Sequence, residues 1–261
     1  MFRIPDADPF IGGHGLALSA RPAGFQLAVC NYLRRITYKV MISADERDEI
    51  TSQRYQSYKA MDLIGDQPTG DWADSFDDHE EYRNIGVFLD GRLVGGIRIN
   101  RITRHQRESA VTEMYPDYVE GMLSKGHSFV EATRFFTIAN LNSAERLLPF
   151  AIIRLVGVAA RHHRASHVVK NVQANHAPFY ERHLQAEVVP GSLKSYRNHS
   201  RDVPLLLLTA RVAPSYTAML GPLPYLLSTR QEMIALFGPA PDGRHVSPGI
   251  VSVLDEREDW A

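Results

Sequence analysis

Asp90-Gly91 separates two runs of strand-forming residues, NIGVFL before it and RLVGGIRI after it. A two-residue Asp-Gly link supplies the positive φ angles of a tight turn whose twist matches an antiparallel pair, so it is the strongest short-range hairpin signal a sequence carries. Around this hairpin, strand and helix patterns alternate. Residues 36–42 (ITYKVMI) are β-branched and aromatic and read as a strand. Ser43 follows, with Glu46 three positions on, the capping-box signature of a helix over ADERDEITSQRYQSYKAMDLI. In that helix Ile50, Tyr58 and Met61 fall at helical spacing, with Tyr55 at the edge of the same face. Further on, residues 115–125 read as helix, HSFVEATRFFTI as strand, and 143–163 as the longest helix, with Ser143 as its cap. Residues 166–172 read as strand, 177–184 as a short helix, and 187–189 and 203–211 as strands. Residues 1–20 read as an arm, 22–35 as a short helix, and 230–237 as the helix signal beyond Pro214. A hairpin inside such an alternation implies a mixed α/β (α+β) fold and excludes both an all-parallel doubly wound sheet and a sandwich. Gly95-Gly96 within the second strand implies a bulge or a close backbone approach.

Composition narrows the function classes. The 261 residues suit one large or two small domains. Twenty-nine Lys and Arg stand against 30 Asp and Glu, which leaves no global basic field for nucleic acid. Cys30 is the single cysteine, so neither an intramolecular disulfide nor a cysteine-based metal site is available. Pro5, Asp6, Asp8 and Pro9 precede any apolar run, unlike a secretory signal. No apolar stretch reaches about 18 residues, so a cytoplasmic protein without a membrane-spanning helix is expected. His162-His163 and His167 lack a nearby acid and are flanked by Arg161 and Arg164, which repel a cation, so no metal is expected. There is no G-x-S-x-G nucleophile elbow.

Two charged residues interrupt strands that otherwise read as buried: Arg98 in GGIRI and Glu131 in VEATRFF. Charged side chains are almost never fully buried unless paired. Arg54, Asp74, Asp77 and Arg134 supply the partners for a balanced cluster. Such a cluster serves either as an internal ion network or as the lining of a pocket for a zwitterion, with carboxylates facing an ammonium group and an arginine fork facing a carboxylate. For Glu131 and Arg134 to face one cleft, their strand needs a bulge, because residues three apart in a regular strand point to opposite faces.

The order and spacing of Arg54, Asp74-x-x-Asp77, Arg98 and Glu131-x-x-Arg134-Phe135 resemble the N-acyl amino acid synthases and the related acyl-homoserine-lactone synthases, over about residues 36–211. Ile64 stands where the lactone synthases carry Trp, Thr112-Glu113-Met114 where they carry an aromatic residue, and Thr133 where they carry Ser, which favours the N-acyl amino acid branch. The resemblance implies a GNAT-like fold: a mixed, mostly antiparallel central sheet flanked by helices, with a V-shaped cleft between two central strands. Residues 36–211 would form the acyltransferase domain, with 1–35 an N-terminal arm and short helix and 212–261 a C-terminal extension. The implied reaction moves a long-chain fatty acyl group from acyl carrier protein to the α-amine of an amino acid. The alternatives are a homoserine-lactone synthase and a non-catalytic acyl or carrier-protein binding module.

In that reading Glu131, Arg134 and Tyr180 are catalytic. Glu131 acts as a base through water, and backbone N–H groups near residues 134–136 hold the oxyanion. Tyr180, in NHAPFYERHLQAE, protonates the leaving thiolate; its alternative is packing under the sheet with Phe179. Arg54, Tyr58, Asp74, Asp77, Arg98 and Phe135 bind substrate. The segment FFTIANLNSAERLL has no glycine where CoA-using relatives place a pyrophosphate-binding loop. The donor implied is therefore the acyl-phosphopantetheine of acyl carrier protein, with no bound cofactor. Arg154, Arg161 and Arg164 form the candidate docking face for the carrier, and a lipid product implies peripheral membrane contact.

Overall fold

The computed structural model describes residues 24–138, 145–198, 201–212 and 224–255. The expected arm at 1–20 and the expected cap Ser143 lie outside the described residues. The chain runs α1 (Gly24–Leu33), β1 (Ile36–Val40), α2 (Ala44–Ala60), β2 (Tyr82–Leu89), β3 (Arg92–Ile102), α3 (Ala110–Met114), α4 (Pro116–Ser124) and β4 (Phe129–Thr137). It continues through α5 (Leu148–His162), β5 (His167–Gln173), α6 (Ala177–Leu184), β6 (Glu187–Val188), β7 (Lys194–Asn198), β8 (Arg201–Arg211), α7 (Arg230–Phe237) and α8 (Gly249–Asp255).

The hairpin forms as its turn chemistry demands: Asp90 and Gly91 have φ of 49° and 82°, and Leu89 pairs with Arg92. The capping box forms too, with Ser43 accepting from Glu46 N–H and Glu46 accepting from the Ser43 N–H. α2 stops at Ala60, and Met61, expected on its buried face, is 48% exposed. The inward face carries Ile50, Tyr55 and a fully buried Arg54 instead. α5 starts at Leu148 after a short 3-10 turn, with Pro149 in its first turn, where a missing N–H costs nothing. Three elements escape the sequence patterns. α3 is only five residues long, β7 (KSYRN) is a polar edge segment held by backbone pairing to β8, and α8 is a second helix beyond Pro214 where only 230–237 is expected.

The sheet order is β1-β2-β3-β4-β5-β8-β6, with β7 also on β8. Among the described residues the pairings are antiparallel except β4 with β5. That parallel ladder holds Phe129↔His167, Val130↔Val168 and Glu131↔Val169 and then ends, although β4 runs on to Thr137 and β5 to Gln173. The two strands part into a V. The cause lies on the β3 side. Arg98 pairs with Thr133 and Gly96 with Phe136, so Arg134 and Phe135 together oppose Ile97. Arg134 has φ of 54°. A bulge of this kind bends its strand and sharpens the local twist, turning β4 away from β5.

One face of the sheet packs Ile97, Ile99, Val130 and Ala132 against Ile152, Leu155 and Ala159 of α5. α1 (Val29, Cys30, Leu33) and C-terminal residues (Tyr225, Leu236, Phe237, Ile250) belong to this same core. The other face packs Phe136 against Ile50 of α2, and Phe129 and Ile102 against Val119 and Leu123 of α4. No helix among the described residues is long and apolar enough to cross a membrane.

The C-terminal segment makes α5 buried on nearly every side. Arg154 is fully buried there and donates to both carboxylate oxygens of Glu232 on α7 and to the carbonyls of Tyr225 and Leu227. This corrects its assignment to a docking surface: Arg154 is shut off from solvent and holds α7 against α5. Gly95 shows why that strand position is glycine. A Cβ there would lie 2.7 Å from the Phe136 carbonyl oxygen and 2.8 Å from Ile152 Cδ1. Gly95→Ala is expected to cost about 1–3 kcal/mol, read as a lower urea midpoint at unchanged slope.

Candidate active site

The acidic loop between α2 and β2 folds on itself before it meets any arginine. Asp74 Oδ1 accepts from the Phe76 N–H (2.9 Å), and Asp77 Oδ2 accepts from the Asp74 N–H (3.0 Å). Asp side chains favour such turns because they satisfy the backbone two or three residues away. The turn presents both carboxylates to one side, where α2, β3 and β4 bring three arginines. Arg54 is bidentate to Asp77 (2.9 and 3.1 Å) and also donates to the Trp72 carbonyl and to Asn84 Oδ1. Arg98 lies 3.1 Å from Asp77 Oδ1 and is bidentate to Asp74. Arg134 donates to Asp74 from Nε (3.2 Å) and Nη2. The result is one connected chain: Arg54, Asp77, Arg98, Asp74, Arg134. Burial opposes ionisation of Asp74, but hydrogen bonds from Arg98 and the charges of Arg134 and Arg98 outweigh it and hold the carboxyl well below its usual range.

The bulge puts Thr133 and Arg134 on one side of β4: Thr133 accepts from Arg98 Nε, and Arg134 reaches the same aspartate as Arg98. Tyr58 donates to the Phe135 carbonyl (3.0 Å), which ties α2 to the bulge. Arg98 and Arg134 then form one wall of a cleft of about 330 Å³. Tyr58, Trp72 and Phe135 share that wall, and Lys170 and Tyr180 stand across the split between β4 and β5. Among the described residues no aspartate or glutamate lines the cleft. Asp74 and Asp77, expected to bind substrate, instead spend their oxygens on arginines. Of the expected zwitterion pocket, the arginines line the cleft and, among the described residues, the acids do not.

Glu131, expected as a base, is fully buried behind the cleft. Its Oε1 accepts from the Val111 N–H of α3 (2.7 Å), and its Oε2 is buried with no hydrogen-bond partner among the described residues. Burial pushes its carboxyl up to about 7. Tyr180 lines the cleft, while Phe179 packs against Phe150 and His183. Burial raises the Tyr180 hydroxyl to about 12, which keeps its proton available.

Arg161 and Arg164 do not reach the mouth. The adjacent Ser166 and His167 N–H groups bond to Ser128 O at the paired end of the V, and Arg161 donates to the Ser228 carbonyl. The expected docking role places them at the wrong end of the cleft. The three histidines do not converge: His162 and His163 pack on Phe237, and His167 on His127 and Phe129.

Lys170 went unnoticed in the sequence, although a lone lysine in the strand HVVKNVQ is the same signal that marks Arg98 and Glu131. It is 7% exposed, and burial lowers its amine to about 7. Its Nζ lies 3.4 Å from the centre of the Tyr180 ring. Behind it is a second, small apolar chamber of about 70 Å³ between α5, β8 and Leu184, lined by Ile153, Val156, Gly157 and Leu208.

The sequence profile of the N-acyl amino acid synthase FeeM family matches residues 49–211. Among solved structures, the N-acyl amino acid synthase FeeM from uncultured soil microbes superposes with a TM-score of 0.57 at 17% identity, covering 72% of this chain and 97% of that chain. A CoA-dependent acyl-homoserine lactone synthase, BjaI with MTA, gives 0.53 at 13% identity, covering 84% of this chain and 98% of that one. No protein of curated function matches the sequence.

Two stability measurements check this geometry. Arg54→Met leaves Asp77 with Arg98 and the Asp74 N–H as its partners and takes the charged donor from Asn84 Oδ1 and the Trp72 carbonyl; it is expected to cost about 1.5–3 kcal/mol, seen in urea unfolding. Glu131→Gln tests the buried carboxyl. Because Glu131 rises from an ordinary 4.5 to about 7 on folding, the folded chain keeps a proton that the unfolded chain releases. Stability therefore falls as pH rises from about 4.5 to about 7 and is level above. The glutamine variant lacks this slope, so between pH 4.5 and pH 8 it should gain about 3 kcal/mol relative to the parent. An unchanged slope would place that ionisation on another group.

Proposed function

The chain belongs to the N-acyl amino acid synthase FeeM family, and on that premise we propose that it transfers a long-chain fatty acyl group from acyl carrier protein to the α-amine of an amino acid. The observation that carries this reading is the two-sided cleft, with the Arg98–Arg134 wall on one side of the strand split and Tyr180 on the other. The acceptor's carboxylate fits the Arg134 guanidinium, which is held flat and aimed by Asp74. Its amine then points toward the split, where the thioester lies between β4 and β5. The acyl chain runs from the thioester toward the apolar side chains behind Lys170, whose small chamber takes only its first carbons.

In the reaction the amine nitrogen bonds to the thioester carbon and the C–S bond breaks. Tyr180 gives its O–H proton to the departing sulfur and takes one from the nitrogen. Backbone N–H groups of the bulge around residues 134–136 face the developing oxyanion, the largest single source of stabilisation in such transfers. Arg54 and Asp77 hold this wall rather than touch the substrate.

The carrier-bound donor is supported by the absence of glycine in FFTIANLNSAERLL, where a diphosphate would need close backbone approach. A carrier protein as donor places the enzyme in the cytoplasm, and the lipid product brings it into peripheral contact with membranes. The carrier docks at the open end of the V, away from Arg161 and Arg164.

Mass spectrometry of lipid extracts from cells expressing the protein is expected to show N-acyl amino acids. Acyl lactones would shift the assignment to the sibling activity, and neither product would leave a binding module. With purified protein, Arg134→Leu removes a charge-assisted contact of about 1.5–3 kcal/mol. It should raise KM for the amino acid roughly ten- to a hundredfold and leave KM for the acyl donor within a few fold. An equal effect on both would dissociate Arg134 from the acceptor.

A further inference from the structure

We propose that Lys170 is the proton acceptor of the acyl transfer, placed where β4 and β5 part so that its amine meets the acceptor's ammonium group. The inference rests on the acyltransferase reading above and names the base which that reading leaves open.

Position is the first argument. Glu131↔Val169 is the last pair of the parallel ladder, and Lys170 is the next residue of β5. Among the described residues it is the one that lines both the polar cleft and the apolar chamber. A thioester entering the split and an amino acid on Arg134 therefore meet beside its Nζ.

Elimination is the second. An α-amine arrives as ammonium and has to lose a proton before it can attack. Among the described residues no carboxylate lines either space. Tyr58 is committed to the Phe135 carbonyl, and His176 is exposed at the rim.

Electrostatics is the third. The titratable and charged groups facing these spaces are Tyr58 from α2, Arg98 from β3, Arg134 from β4, His176 and Tyr180 at α6, Tyr196 from β7 and Arg211 from β8. α5 contributes only apolar groups, Ile153, Val156, Gly157 and Ala160. Burial, with no acidic partner among the described residues, keeps the amine neutral for part of the time near neutral pH. When the amine takes a proton, the Tyr180 ring below it stabilises the cation.

The proton count closes. The acceptor ammonium gives one proton to the Lys170 lone pair. The free amine forms the C–N bond, and its second proton reaches sulfur through Tyr180 as the C–S bond breaks. Lys170 then releases its proton to water, so each turnover yields one amide, one thiol and one proton.

The test uses the full chain, acyl carrier protein loaded with a long-chain acyl group, and the twenty amino acids as acceptors. Product is followed by mass spectrometry and thiol release. The parent kcat should rise with pH through about 7. Lys170→Met should lower kcat by roughly 10²- to 10⁴-fold, leave KM for the acyl carrier within a few fold, and lose that rise. Lys170→Cys should be inactive until alkylated with 2-bromoethylamine. That treatment rebuilds an amine at this position, and Cys30, the other thiol, is buried. Activity should return with the rise moved to lower pH, because the thioether sulfur withdraws electrons from the amine. A methionine variant within threefold of the parent, or a rebuilt amine that leaves the pH profile unmoved, would overturn the assignment. A parent that makes no N-acyl amino acid would overturn the functional reading itself, and this proposal with it.

Discussion

Arg54 and Arg98 are all but excluded from solvent, and the fold around the cleft depends on how their charges are met. Two guanidinium groups cannot sit in an apolar interior without partners, and removing a partner from such a pair is strongly destabilising. Asp77 and Asp74 meet them in series, and the series crosses four pieces of chain: α2, the acidic loop, β3 and β4. Packing alone would let these elements slide. Bidentate geometry at Arg54 and Arg98 fixes distance and orientation together. The series also ends asymmetrically. Three arginines share two aspartates, so positive charge is left over at Arg134, the member nearest the cleft.

The split between β4 and β5 is the second constraint, and it is a property of backbone geometry. A parallel ladder would continue if β4 stayed straight. The bulge at Arg134-Phe135 prevents this, and Tyr58 holds the bulge from α2. One distortion thus does two things. It brings Arg134 onto the side of Arg98, and it opens the gap in which Lys170 and Tyr180 face that arginine wall. The positive φ at Arg134 is tolerable because Asp74 and the neighbouring ring of Trp72 hold the side chain that the backbone displaces.

Away from the cleft, Arg154 and Glu232 do for the C-terminal segment what Arg54 and Asp77 do for the acidic loop. The pair anchors α7 on the outer side of α5, and Tyr38 pairs with Val246 across the first edge of the sheet. An arginine on a helix that is apolar all round is a burial signal, since only a covered helix can afford such a composition. α5 has that composition, and Arg154 at its middle is internal.

The sequence by itself determined the hairpin, the capped start of α2, the mixed sheet and the identity of the charged residues that had to find partners. Each of these follows from turn chemistry, periodicity or the cost of an unpaired charge, and those act over a few residues. The need for a bulge in β4 was legible for the same reason, because Glu131 and Arg134 stand three apart. Only the tertiary structure decided which charge met which. Arg54 and Asp77 are separated by 23 residues, Arg134 and Asp74 by 60, and Arg154 and Glu232 by 78. Glu131 and Lys170 show the same limit from both sides. Each is a lone charge in an apolar strand, yet one turns behind the sheet to hold a short helix and the other lines the cleft. That difference comes from where two strands stop pairing, which no local pattern encodes.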